Sequence, residues 1–93
     1  MRLIELLMQT EHWNDDVTVY VERPWSCDAE AILVSPAPNV TLPVERQGRA
    51  FDYFLETSVA REVMDGYATS DEGAGASQAQ RCERLIGYAE NDA

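Results

Sequence analysis

Hydrophobic positions in this chain recur with two different periods, and the places where one period gives way to the other mark its elements. Residues 2 to 9 set Leu3, Ile4, Leu6, Leu7 and Met8 at helical spacings among Arg2, Glu5 and Gln9, which predicts a short amphipathic helix ending near Thr10. "NDD" at 14 to 16 supplies turn chemistry. "VTVYVE" then alternates Val17, Val19 and Val21 with Thr18, Tyr20 and Glu22, as a strand with one buried face does, until Pro24 stops it. The apolar residues of "AEAILV", 29 to 34, become continuous, so this run is expected to be a central strand forming a hairpin with the first.

Three prolines in "SPAPNVTLP", 35 to 43, remove backbone donors and predict a loop. "VERQG" is expected to add one helical turn closed by Gly48. The aromatic content of "AFDYFLE", 50 to 56, predicts a third strand, with a helix running on into the next segment as the competing reading. Thr57 or Ser58 can cap a following helix in which Val59, Val63 and Tyr67 share a stripe flanked by Ala60 and Met64, before Gly66 weakens its end. After the small-residue linker "ATSDEGAGAS", Ser77 and Gln80 match a capping box, and Ala79, Cys82, Ile86 and Ala89 trace the buried stripe of a last helix. The expected fold is α+β: a three-stranded, mainly antiparallel sheet covered on one face by the N-terminal helix and the two C-terminal helices. One domain fills residues 1–93, without internal repeats.

Charge narrows the possible partners. Seventeen acidic residues face seven basic ones, all arginine, for a formal charge of −10. Residues 1 to 46 hold eight acids and three arginines and residues 47 to 93 nine and four, so each half carries −5 and no separate acidic tail exists. Such a field repels nucleic acid and anionic membrane and attracts basic surfaces. Solubility alone is the plainer account of the same charge. No run reaches the roughly 18 apolar residues of a membrane span, and "MRLIELLMQ" is too short and too charged for a signal sequence, so a cytoplasmic location is expected. In that compartment Cys27 and Cys82 are expected to be free thiols, able to pair only if the fold brings them together.

The stretch "HWNDDVTVYVERPWSCDAE", 12 to 30, concentrates the only histidine, both tryptophans and one cysteine, and invites an active-site reading. His12 beside Asp15 or Asp16 could work as an acid–base pair, because a carboxylate raises the imidazole pKa and orients the ring. No serine or cysteine is tied to that pair by a motif, and a histidine beside turn aspartates is more often a capping residue. His12, Cys27 and Cys82 lack the close ligand spacing of a zinc site, and "GAG" at 73 to 75 lacks the lysine of a phosphate loop. No cofactor or metal is expected. Trp13 and Trp25 are accounted for as core, closing the first helix and the hairpin end over the sheet. The alternation also implies an outer sheet face on which Tyr20 stands among Glu22, Glu30, Asp52 and Glu56. An aromatic anchor with acidic neighbours suits a basic protein.

Three stretches, "VYVERPWSCDAEAILV", "DYFLETSVAREV" and "RCERLIGYAENDA", resemble a family of small acidic bacterial proteins of similar length, with a comparable "PW…AIL", "YFLE" and closing "NDA". The resemblance spans nearly the whole chain and brings no catalytic motif. Some such proteins look like immunity partners encoded beside polymorphic toxins, which implies toxin neutralisation by analogy. The expected function is therefore binding rather than catalysis: an acidic inhibitor, monomer or homodimer, that neutralises a basic protein by occlusion. The alternatives are a phage-encoded nucleic-acid mimic of the anti-CRISPR type, with carboxylates in phosphate-like rows, and a small enzyme using His12 and Asp16.

Overall fold

A computed structural model of the chain describes residues 1–9, 13, 17–35, 43–71 and 73–92. Its elements run α1 (Leu3–Leu7), β1 (Thr18–Val21), β2 (Ala31–Val34), β3 (Val44–Arg46), β4 (Arg49–Glu56), α2 (Thr57–Ala68) and α3 (Gln78–Asp92). The fold is α+β, but the sheet has four strands rather than three, in the order β2-β1-β4-β3 with every neighbouring pair antiparallel.

The fourth strand comes from "VERQG", read above as a helical turn. Gln47 and Gly48 have φ of 54° and 76°, and Arg46 pairs with Arg49 across them. Two central residues at positive φ twist a two-residue loop in the same hand as its flanking strands, so the segment is a tight hairpin, and glycine takes one of these positions without a Cβ penalty. Val44 then faces Phe51. β4 is thereby flanked on both sides, by β3 and by β1.

The expected β1–β2 hairpin is present, with Val19 opposite Leu33 and Val21 opposite Ala31. The position of β2 is not the expected one. It lies at the sheet edge, with Leu33 37% exposed, while β1 is buried at all four positions. A continuous apolar run suits burial on both faces, but β1 receives partners on both sides and β2 on one. The start of α1 shields the near end of β2: Ala31 N–H donates to the Met1 carbonyl at 2.8 Å and Arg2 bridges to Glu30.

The main core lies between one sheet face and the helices. Val19, Val21, Ala31, Phe54 and Leu55 meet Leu3, Leu6 and Leu7 of α1, Ala60 of α2 and Cys82, Leu85 and Ala89 of α3, with Trp13 and Trp25 in the same cluster. Both tryptophans are thus core, as read from the sequence. The α3 stripe is shifted slightly from the expected one: Ala79 is exposed, Ile86 half-buried, and Leu85 fully buried. Thr57 is not a cap but the first helical residue of α2, and its hydroxyl donates to the Val17 carbonyl at 3.0 Å, fixing the helix start to the strand beside it.

The last helix starts as the sequence prescribes. Ser77 N–H donates to Gln80 Oε1 at 2.8 Å, and Gln80 N–H to Ser77 Oγ at 3.2 Å, so each side chain satisfies a backbone donor that the helix leaves without a partner. Ser77→Ala is expected to lower stability by about 0.5–2 kcal/mol, read from the urea midpoint at constant slope. The linker before it is packed against α2: Ser70 Oγ bonds the Tyr67 carbonyl and the Gly73 N–H, and a Cβ on Gly73 would overlap the Tyr67 carbonyl.

Candidate functional site

The acidic docking face inferred from alternation is rebuilt by one irregularity. Between Val19 and Tyr20 the β1–β4 register shifts, so that Val19 faces Leu55 whereas Tyr20 faces Tyr53. Phe54 is the extra residue of a β-bulge, and side-chain parity along β4 reverses there. Glu56 lies opposite Thr18, on the sheet face of Tyr20, but Asp52 lies opposite Val21 on the other face. The set Tyr20, Glu22, Glu30, Asp52 and Glu56 therefore does not share one surface.

Tyr20 is also not an anchor awaiting a partner. It is fully buried, its ring edge-on to Tyr53 with centroids 6.1 Å apart, and burial pushes its phenol pKa up. Its hydroxyl has no hydrogen-bond partner among the described residues. An unpaired buried hydroxyl is a desolvation cost without return, so Tyr20→Phe is expected to be neutral or stabilising by up to about 1–3 kcal/mol, measured by urea unfolding.

Three of the acids are held by positive charges of the chain itself. Arg49 grips Glu22 with two hydrogen bonds of 2.7 Å each, Arg23 Nε donates to Asp52 at 2.9 Å, and the Met1 amine meets Glu30 at 2.8 Å. The bidentate Arg49 contact holds the Glu22 carboxyl below its ordinary pKa. Glu56 is exposed at the end of β4. These pairs turn what alternation presents as a uniform acidic patch into a largely self-neutralised one. His12, Asp15 and Asp16, the residues of the acid–base reading, lie outside the described residues.

Acid also gathers around the turn after β1, where it packs on α3. The chain leaves β1 through a cis Arg23–Pro24 peptide. Trp25 then folds back, its indole N–H donating to the Val21 carbonyl at 3.2 Å and its ring edge-on to Phe54, with centroids 5.0 Å apart. The Arg23 guanidinium sits 3.7 Å from the Trp25 ring centroid. Beside this turn lies an open bowl of about 490 Å³, lined by Trp25, Ser26, Cys27, Asp28, Glu83, Ile86 and Glu90. Glu83 and Glu90 stand on α3 two turns apart, so both face the same side of the helix. Asp28 bonds Arg2 at 3.0 Å, and no ion pair among the described residues engages Glu83 or Glu90.

A second cleft, of about 470 Å³, runs between α2 and α3 along Glu62, Tyr67, Asp71 and Tyr88. Arg84 lies in its wall, 5.6 Å from the Tyr67 ring centroid, and offsets its acids. Among the described residues, the bowl has no basic residue in its lining. Sequence reasoning placed Trp25 correctly in the core but missed Glu83 and Glu90 as its neighbours, since nothing local reveals that α3 packs beside that turn.

Among the described residues, no three His, Cys, Asp or Glu side chains are grouped so as to hold a metal ion, and no helix is long and apolar enough to cross a membrane. The chain matches no protein-family model, and no curated protein or solved structure matches it.

Proposed function

We propose that this chain is a binding protein that neutralises a basic protein by occlusion, and that the bowl beside Trp25 receives an arginine or lysine side chain of that partner. The observation that carries this reading is the bowl's composition: apolar Trp25, Cys27 and Ile86 beside the acids Asp28, Glu83 and Glu90, of which Glu83 and Glu90 have no ion-pair partner among the described residues. A long basic side chain has an apolar stem and a charged end, and such a surface satisfies both. The formal charge of −10 steers a basic partner towards the molecule from outside contact range. A basic bacterial toxin is the partner class that the family resemblance implies.

An arginine-rich peptide serves as the probe, titrated calorimetrically over a salt series. Reversing Glu83 and Glu90 to Arg is expected to weaken binding about tenfold or more and to flatten its salt dependence, by the loss of close charge pairs. Reversing Glu45 and Glu56 to Arg changes the net charge equally, away from the bowl, and is expected to weaken binding far less. Equal losses in the two double variants would show that only net charge matters and would refute the bowl as the site.

A further inference from the structure

Cys27 and Cys82 lie far apart in sequence, one in the turn after β1 and the other on α3, and the fold sets them side by side. Cys27 Sγ lies 3.9 Å from the Ala79 carbonyl oxygen, and Ala79 is one helical turn before Cys82 on the same side of α3. Cys27 packs on the core cluster to which Cys82 belongs, and its nearness contributes, after burial, to the upward shift of the Cys82 thiol. Both are free thiols. Their access to solvent differs: Cys82 is fully buried, whereas Cys27 is half-buried and lines the open bowl.

We propose that Cys27 and Cys82 form a redox-modification site, at which hydrogen peroxide converts the two thiols into an intramolecular disulfide that staples the turn after β1 to α3. The inference rests on the placement of the two sulfurs and is independent of any partner. The Cys27 thiolate attacks one peroxide oxygen and the O–O bond breaks, leaving Cys27 sulfenic acid and a hydroxide that is protonated to water. The Cys82 thiolate then attacks the Cys27 sulfur, the S–O bond breaks, and the departing hydroxide is protonated to a second water. Two thiols and one peroxide thus give one disulfide and two waters, each sulfur losing one electron and the peroxide gaining two.

The order of events follows from the surroundings. Burial, first, and then the hydrogen bond and charge of Cys27 push the Cys82 thiol well above its ordinary pKa, so Cys82 is a poor first nucleophile and is positioned to resolve. Conversion of the Cys27 thiolate to a neutral sulfenic acid removes its repulsion and makes Cys82 easier to ionise in the second step.

The test treats the reduced full-length protein with a small excess of hydrogen peroxide and follows its intact mass without reductant. The expected product is a monomer about 2 Da lighter, restored by dithiothreitol, with the two cysteine peptides linked on digestion. Its melting temperature is expected to rise by about 10–20 °C, because the cross-link closes a long loop in the unfolded chain. In Cys82→Ala the reaction is expected to stop at Cys27 sulfenic acid, trapped by a 1,3-dione reagent, and in Cys27→Ser the remaining thiol is expected to stay reduced. Two thiols surviving oxidation in the unsubstituted protein, disulfide-linked dimers, or a sulfenic acid that persists with Cys82 present would each overturn the proposal.

Discussion

Leu85→Asp is expected to leave the chain unfolded at 25 °C. Leu85 is fully buried on α3 in the core cluster that joins the three helices to the sheet. Truncating a buried leucine to alanine costs about 2–5 kcal/mol, and a carboxylate left there without a partner adds a further desolvation penalty. A domain of this size has about 5–15 kcal/mol in all. Ile86→Asp, by contrast, is expected to fold with reduced stability, because Ile86 is only partly buried and its side chain can turn its charge towards the bowl. Far-UV circular dichroism with urea titration separates the two. A cooperative transition for Leu85→Asp near that of the parent would mean that α3 buries a different face.

Phe54→Ala is expected to destabilise by about 3–5 kcal/mol, the usual cost of removing a buried phenylalanine. Phe54 is fully buried, is the extra residue of the β4 bulge, and meets the Trp25 ring edge-on. Its loss opens a cavity and removes a wall of the pocket that holds Trp25. Tryptophan fluorescence is therefore expected to shift along with the denaturation midpoint. A loss below about 1 kcal/mol would mean that the bulge relaxes and lets Leu55 fill the space.

The helices were the most legible part of the fold. The spacing of Leu3, Leu6 and Leu7, and the Ser77–Gln80 box followed by Cys82 and Ala89, each bury the side that periodicity indicates. The β1–β2 hairpin was legible for the same reason, since alternation and a turn are local signals. The fourth strand is not legible in the sequence, because "QG" between Val44 and Phe51 is a weak hairpin signal beside a proline-rich segment. The docking face failed for a different reason. Parity along β4 depends on a bulge at Phe54, and a bulge reverses every side chain beyond it without altering the sequence pattern.

By itself the sequence determined the α+β class, the amphipathic helices, the capped start of α3, the burial of both tryptophans and the formal charge of −10. These follow from local periodicity, local hydrogen bonding and composition, and need no knowledge of which element meets which. Only the tertiary structure decided that Tyr20 is buried, that Glu22 and Asp52 are claimed by Arg49 and Arg23, that Glu83 and Glu90 stand beside Trp25, and that Cys27 packs on α3 one helical turn from Cys82. Each of these joins residues distant in the chain, and an ion pair, a bowl or a pair of thiols exists only where strand order and helix packing bring such residues within a few ångströms of one another.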